Sequence, residues 1–246
     1  MYRYQILIEY VGSGYKGWQI QKKGKTVQGI LQEIVSKFLK EKITIVGAGR
    51  TDAGVHAISQ SAHFDSKNLI LDKNKFLKSV NHFLKSNMIS VLNIKKKNKQ
   101  FHARYSAKSR IYEYLIYNRI SPPVLDKDKC WHIMKKLDLK EMKMGAQKLL
   151  GTKDFSTFRA SSCNAKSPMR TIKSATIKKQ SDKIIIKFIS QSFLQQQVRS
   201  MVGCLKYLGE RKWSLKKFYK VIKSKNRSNC APPAPARGLF LKKIIY

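Results

Sequence analysis

Residues 2–10 of the chain read Tyr-Arg-Tyr-Gln-Ile-Leu-Ile-Glu-Tyr, with an aromatic or aliphatic side chain at every even position. Alternation of this kind predicts a β-strand with one buried face. Apolar residues then recur between Val27 and Leu39 at the spacing of a helix with one apolar stripe, and Thr26 is placed to cap its N-terminus. This strand and this helix are the first two elements of the order from which the fold is predicted.

After this first helix, the first half continues with two strands, a second helix and a further strand. They are predicted at 42–46, 56–64, 76–84 and 88–94. The resulting order, β-α-β-β-α-β, is that of ferredoxin-like domains.

The second half repeats this order with insertions. It holds a strand, a helix, a hairpin turning near Ser181-Asp182, a longer helix, an extra helix and a last strand, predicted at 111–117, 139–150, 172–189, 194–208, 215–222 and 239–246. We therefore predict a mixed α+β fold of two ferredoxin-like halves, 1–105 and 106–246. The halves are expected to share one continuous, mostly antiparallel sheet, with helices on one face and a cleft that is free for a long ligand on the other.

Charge indicates the class of partner. Fifty-one Lys and Arg stand against fourteen Asp and Glu, a formal net charge of +37. Such an excess destabilises a compact chain by self-repulsion and favours binding to a polyanion, of which nucleic acid is the first candidate. A lysine-rich surface without any partner is the alternative that composition leaves open.

Several classes of protein are disfavoured by the sequence. The four cysteines are widely spaced and form no C-x-x-C pair, which argues against a zinc site or a disulfide framework. The first residues do not resemble a signal peptide, and no apolar run approaches the length of about 20 residues that a bilayer requires. A cytoplasmic, reduced protein without a membrane partner is expected.

The most informative stretch is Gly47-Ala-Gly-Arg-Thr-Asp-Ala-Gly-Val-His-Ala57, which joins two predicted strands. Its three glycines exceed what a turn needs and indicate close approach to a ligand or to another segment. Arg50 and Asp52 lie two residues apart, and a neighbouring arginine keeps a carboxylate ionised, as suits a nucleophile. A structural Arg–Asp pair that stiffens the turn explains the same two residues equally well.

The unbroken string from Gly49 to Ala57 resembles the catalytic motif of the tRNA pseudouridine synthase A family. Other segments resemble the family in order and spacing over nearly the whole chain; they begin at Tyr10, Val27, Phe101, Tyr112, Gly151, Val198 and Gly238. The resemblance implies isomerisation of uridine to pseudouridine in the anticodon stem-loop of tRNAs, without metal or organic cofactor. It also implies a homodimer in which each tRNA touches both subunits.

The resemblance assigns roles to four residues. Asp52 corresponds to the nucleophile, and Arg50 is expected to pair with it and to fill the space left by a flipped nucleotide. Tyr112 corresponds to a tyrosine that stacks on the uracil and could accept the C5 proton, although a strand tyrosine is more often core. Arg199 is implied as a second partner of the Asp52 carboxylate, whereas its place opposite the apolar stripe of its helix is typical of a solvated arginine.

Substrate contacts are predicted from residue chemistry. Lys16 and Trp18 share the first loop, a mixture that suits phosphate contact and stacking, although a buried tryptophan anchoring a hairpin fits as well. The guanidinium groups of Arg104, Arg110 and Arg159 match phosphate geometry better than lysine runs do. Leu239 matches a site-lining segment and could equally be core.

Two other hypotheses explain part of the sequence. A non-catalytic RNA-binding protein fits the charge and the fold but gives no reason for the intact loop around Asp52. A DNA-binding protein is weaker, because neither a helix-turn-helix nor a zinc-finger pattern is found.

Overall fold

A computed structural model describes residues 1–246, which form two compact units. The first unit is Met1–Lys108 together with Phe240–Tyr246, and the second is Ser109–Leu239. Strands and helices are mixed along the chain, and most strand pairs are antiparallel, so the predicted α+β class is confirmed. No helix combines the length and the apolar character needed to cross a membrane.

The strands are β1 Tyr2–Tyr10, β2 Val46–Gly47, β3 His56–Ser66, β4 Ile89–Lys97, β5 Ser109–Asn118, β6 Trp131–Ile133, β7 Gly151–Asp154, β8 Met169–Gln180, β9 Lys183–Ser190 and β10 Leu239–Ile245. The α-helices are α1 Val27–Leu39, α2 Lys73–Leu84, α3 Leu139–Lys148, α4 Gln197–Gly209 and α5 Leu215–Lys223.

In the first unit the sheet has the order β4-β1-β3-β10. Strand β1 is antiparallel to both β3 and β4, and its register opposes Ile6 to Ala62 and to Ile94. Strand β10 runs parallel to β3, with Phe240 opposite His56, and the two-residue β2 pairs with β3 from Val46. The alternation of β1 gives it one buried face, as is usual in an antiparallel sheet with one face on the core.

The core of the first unit follows the even positions of β1. Tyr4, Ile6 and Ile8 are fully buried, as are Leu31 of α1 and Phe76 of α2. Helix α1 begins where the sequence predicted, because the side chain of Thr26 accepts a hydrogen bond from the Gly29 amide at 3.2 Å.

The strand predicted at 42–46 is wrong for most of its length, since only Val46 is paired with β3. The reason is local: side chains of α1 satisfy the backbone that a strand partner would otherwise bind. The Ile43 amide donates to Ser36 Oγ and the Ile45 amide to Gln32 Oε1, both at 3.0 Å. This segment therefore stays against its own helix.

In the second unit the sheet has the order β5-β9-β8-β7, with all neighbours antiparallel and β6 added parallel to β5. The predicted hairpin of β8 and β9 is confirmed, with Ser181 at its turn in a left-handed conformation (φ 51°). Helix α3 packs on β8, α4 and α5. Ile184, Ile186 and Phe188 of β9 are fully buried, and the sheet of this unit positions the second group of predicted site residues.

Candidate active site

The glycine-rich loop, residues 47–55, connects β2 to β3, and two hydrogen bonds attach its start to β3. The Ala48 amide donates to the Ser61 carbonyl at 2.7 Å, and Gln60 Nε2 donates to the Gly49 carbonyl at 2.8 Å. Gln60 is fully buried. These two hydrogen bonds fix the start of the loop on β3.

Three hydrogen bonds hold together the first loop, residues 11–20, the glycine-rich loop and their flanking strands β1 and β3. The Trp18 amide donates to the Thr51 carbonyl at 3.1 Å, and the Gly12 amide donates to His56 Nδ1 at 3.1 Å. The hydroxyls of Tyr10 and Thr51 lie 2.8 Å apart in a buried contact. Residues 50–52 therefore lie in a loop that is fixed both by β3 and by the first loop.

The contact between the loops depends on glycine. Gly17 has a φ of +96°, and a Cβ added to it would lie 2.5 Å from the Thr51 carbonyl oxygen. A Cβ on Gly47 would lie 2.5 Å from Nε1 of Trp18, so the indole ring lies directly against that backbone. Both glycines thus lie against a neighbouring segment. For Gly47, close approach to another segment of the chain is one of the two explanations that the sequence left open, the other being close approach to a ligand.

Gln28, near the start of α1, joins the first loop to the strand-like segment before the glycine-rich loop. Its Oε1 accepts from the Ile20 amide at 3.0 Å, and its Nε2 donates to the Ile45 carbonyl at 2.7 Å. The side chain is buried, so both bonds form away from water. Sequence reasoning placed Gln28 only at the helix start and did not identify this bridging role.

Asp52 follows the buried Thr51 and starts a tight turn, in which its carbonyl accepts from the Val55 amide at 3.1 Å. Its side chain is half-buried. Arg50 is exposed, and its Nε donates to Gln19 Oε1 at 3.2 Å. The predicted pairing of Arg50 with Asp52 stays a prediction, and the Nε of Arg50 lies beside Gln19 of the first loop.

Lys16 and Trp18 differ in their surroundings although they share the first loop. Lys16 is exposed, whereas Trp18 is 1% exposed and lies under Gly47. Trp18 thus anchors the loop. Its role as a stacking contact for substrate stays a prediction, and this burial does not support it.

Arg104 also belongs to the first unit, in the segment between β4 and β5. It is exposed, with its guanidinium 5.6 Å from the centre of the Tyr105 ring, and Tyr105 is itself 74% exposed. The segment is fixed where the Ala103 amide donates to Nδ1 of His63. Burial, helped by the charge of Arg3, lowers the pKa of His63 to about 4, so that its ring is neutral and able to accept.

In the second unit, Tyr112 lies on β5 opposite Phe188 of β9. The Tyr112 ring meets the ring of Phe193 edge to face, with centroids 5.3 Å apart, and the residue is 7% exposed. This edge-to-face contact favours one orientation of the Tyr112 ring.

Arg199 lies in the first turn of α4, against the segment that leads to β10. Its Nε donates to the Ala234 carbonyl at 2.8 Å, and the Ala234 amide donates back to the Arg199 carbonyl at 3.0 Å. The side chain is half-buried. A freely solvated arginine, which its helix face suggested, is therefore wrong: the proline-rich segment covers that face and orients the guanidinium.

The other predicted contacts of the second unit are spread over it. Arg110 is 8% exposed, and its guanidinium donates to the Gln191 carbonyl. Leu239 is 5% exposed at the start of β10, and Arg159 is half-buried after a short 3₁₀ turn, Ser156–Phe158. Arg50, Asp52, Lys16 and Trp18 are thus brought together in the two packed loops of the first unit. Tyr112, Arg199, Arg110, Arg159 and Leu239 belong to the second unit.

No cluster of three or more histidine, cysteine or acidic side chains is placed to hold a metal ion.

Comparison with known proteins matches a family described as tRNA pseudouridine synthase to residues 6–106 and 146–246. The chain is 65% identical over 246 residues to tRNA pseudouridine synthase A of Pelagibacter ubique, with both chains covered completely. It is 43% identical over 247 residues to the proteins of the same name from Paramagnetospirillum magneticum and Xanthobacter autotrophicus. These matches cover all of this chain and 96% and 100% of those proteins.

The packing of the two loops gives a test with a matched control. Gly14 and Gly17 both have positive φ, but a Cβ on Gly14 would meet nothing within 4 Å. Gly14→Ala is expected to lower the free energy of unfolding by about 1–2 kcal/mol, the cost of a left-handed alanine. Gly17→Ala is expected to lose a further 1–3 kcal/mol or so, because its methyl group displaces the Thr51 backbone. Urea denaturation measures both, and equal losses would contradict a tight contact between the loops.

Proposed function

Because the chain belongs to the tRNA pseudouridine synthase family, its activity is the isomerisation of uridine to pseudouridine in tRNA, and we propose that Asp52 is the nucleophile of that reaction. The observation that carries the proposal is the position of Asp52 in a loop that is hydrogen-bonded on two sides. A nucleophile must be held at a defined distance from the reacting atom, and a docked loop provides this without further rearrangement.

The isomerisation requires one carboxylate as nucleophile and one group that accepts a proton. A carboxylate oxygen of Asp52 attacks either the ribose C1′ or the uracil ring, and the N1–C1′ bond breaks. The base turns, C5 bonds to C1′, and the carboxylate is released. The proton on C5 is lost and N1 gains one, so the atoms balance with no oxidant, reductant or cofactor.

Tyr112 is proposed as the residue that stacks on the uracil and accepts the C5 proton. The edge-to-face contact with Phe193 supports this role, because it holds the ring in one orientation. Arg199 is proposed to stabilise the negative charge of the reacting carboxylate, a role that suits a guanidinium oriented by the Ala234 carbonyl. Both roles extend the family resemblance to these positions.

The substrate must be opened before it reacts, because the atoms of a stacked uridine are shielded within its stem. We propose that the exposed Arg50 occupies the space of the flipped nucleotide, since its contact with Gln19 leaves the side chain at the surface. Recognition in the anticodon stem-loop is proposed to depend on shape and backbone, because A-form RNA hides its base edges in a narrow groove. Lys16 and Arg104, both exposed, are the proposed backbone contacts of the first unit.

The proposed assembly is a homodimer that acts in the cytoplasm, where its tRNA substrates are. The proposal of a dimer rests on the family resemblance, and the charge of +37 on each chain supports binding of a polyanion such as tRNA.

Replacement of Asp52 by Asn is the direct test of the nucleophile. With tRNA tritiated at uracil C5, wild type is expected to release tritium, and Asp52→Asn to release it more slowly by a factor on the order of 10³ or greater, because the amide is no nucleophile. Asp128→Asn makes the same chemical change at an exposed position and is expected to keep wild-type activity. Equal release from Asp52→Asn and wild type would exclude Asp52. Absence of release from wild type that still binds tRNA would favour a non-catalytic RNA-binding protein.

The role of Tyr112 is tested by removing its hydroxyl alone. Tyr112→Phe keeps the stacking surface and is expected to slow tritium release roughly 10²–10⁴-fold, the usual contribution of a proton acceptor. Tyr114→Phe, two residues away on β5, loses a hydrogen bond to the Pro235 carbonyl. It is expected to lower thermal stability while keeping the rate. Full activity of Tyr112→Phe would limit Tyr112 to stacking.

The dimer is tested by size-exclusion chromatography with light scattering at physiological salt. The expected mass is about twice the 28.4 kDa of one chain. A mass of one subunit at micromolar concentration, without tRNA and with it, would contradict the proposed assembly.

A further inference from the structure

The second unit contains a basic pocket that the reaction itself does not use. Its cavity has a volume of about 460 Å³ and is lined mainly by Ser156, Arg159, Ser161, Lys225, Asn226 and Arg227. Three cationic side chains, two hydroxyls and an amide thus face one cavity. Of these residues, only Arg159 was predicted as a substrate contact from the sequence.

The walls of the basic pocket rest on buried structure. The 3₁₀ turn Ser156–Phe158 is flanked by the fully buried Phe155 and contains the fully buried Phe158. Between them, Thr157 Oγ1 donates to the Val221 carbonyl of α5 at 3.1 Å. A second 3₁₀ turn, Arg227–Asn229, packs against the first and is capped by the Asn226 side chain. The pocket is therefore present before any ligand arrives.

The cations of the basic pocket are oriented and only partly neutralised. Nη1 of Arg227 donates to Ser200 Oγ of α4 at 2.8 Å, and Ser200 is fully buried. The one carboxylate beside the pocket is Asp154, whose Oδ2 lies 3.9 Å from Lys225 Nζ. Burial opposes ionisation of Asp154, but hydrogen bonds from Ser156 and the nearby Lys225 and Arg159 lower its pKa, so it is charged at neutral pH. One negative charge against three positive charges leaves the site selective for an anion.

The donor set identifies the anion as a phosphate group. Guanidinium groups match the tetrahedral oxygens of phosphate with paired N–H donors, and serine hydroxyls and lysine add further donors. Ser161, Lys225 and Asn226 are exposed, so the cavity is open along one side. An open basic cavity suits a phosphate that belongs to a long chain better than a small metabolite that must be enclosed.

We propose that the basic pocket binds a backbone phosphodiester of the tRNA substrate and positions it for the reaction proposed above, on which this inference rests. The pocket holds the RNA and takes no part in bond making. It reads no base, because contacts to phosphate position a nucleic acid without specifying its sequence.

The test compares two charge-matched double variants in the binding of unmodified tRNA at several salt concentrations. Arg159→Ala with Lys225→Ala removes two cations from the pocket and spares Arg227, whose contact with Ser200 supports α4. Lys216→Ala with Lys220→Ala removes two exposed cations from α5. The pocket variant is expected to bind tRNA at least tenfold more weakly at physiological salt, and the slope of log Kd against log salt is expected to fall by about one to two. The α5 variant is expected to change either quantity by less than half as much.

Further measurements separate the alternatives. At subsaturating tRNA the pocket variant is expected to lose kcat/KM at least tenfold, in proportion to its loss of affinity, because the pocket holds and positions the RNA. Equal salt slopes for the two double variants would overturn the proposal. Tight binding of inorganic phosphate or uridine 5′-monophosphate that is lost in the pocket variant, with the tRNA slope unchanged, would overturn it in favour of a small-phosphate site. These binding measurements stand even where wild type forms no pseudouridine, so failure of the proposed function and failure of the pocket are distinguishable.

Discussion

The contact between the Trp18 amide and the Thr51 carbonyl joins the first loop directly to the glycine-rich loop. It forms only because Gly17 has no side chain, and because the Trp18 ring is buried beneath Gly47. The neighbouring hydrogen bonds, Tyr10 to Thr51 and Gly12 to His56, depend on the same approach. The position of Asp52 is thus determined by a backbone contact and by the buried side chains that exclude water from that contact. None of these neighbours takes part in the proposed chemistry, yet they decide where the carboxylate lies.

Electrostatics imposes the second constraint. Even if each of the fourteen acidic side chains neutralised one cation, thirty-seven of the fifty-one cations would remain without such a partner. Their mutual repulsion opposes folding, and binding of a polyanion relieves it. Two cations with proposed roles differ from this general excess in being oriented: Arg199 is held by Ala234, and Arg227 by Ser200. Orientation distinguishes a specific contact from a charge that merely attracts RNA.

Features that depend on near neighbours in the chain were predictable from the sequence. The alternation of β1, the cap of α1 and the turn at Ser181 follow from local preference and periodicity, and all three are present. Features that depend on distant residues were not predictable. The backbone at Ile43 is satisfied by a helix side chain, so its apolar pattern indicated a strand that is absent. Periodicity likewise carries no signal for the short strands β6 and β7.

The candidate site shows the same division. The string around Asp52 identified the loop, because a run of nine residues is specific whatever the fold around it. It did not identify the contact of Arg50 with Gln19, which belongs to another loop. The helix face of Arg199 suggested solvent, since helical spacing contains no information about the segment near Ala234 that covers it. Residue chemistry near Trp18 was compatible with burial and with exposure, and only packing decides between them.

The return of β10 to the first unit has a consequence for biosynthesis. His56, which accepts the Gly12 amide, stacks on Phe240 of β10 at 4.9 Å, and the Tyr246 hydroxyl reaches Ser61 of β3. All of residues 109–239 must therefore leave the ribosome before the first unit can complete the support beneath its own loop. Until then β3 offers an open edge to any other strand, including that of a neighbouring nascent chain. A half-made polypeptide already contains Asp52 but lacks the strand that completes the support of its loop, so the loop can reach its final structure only late in translation.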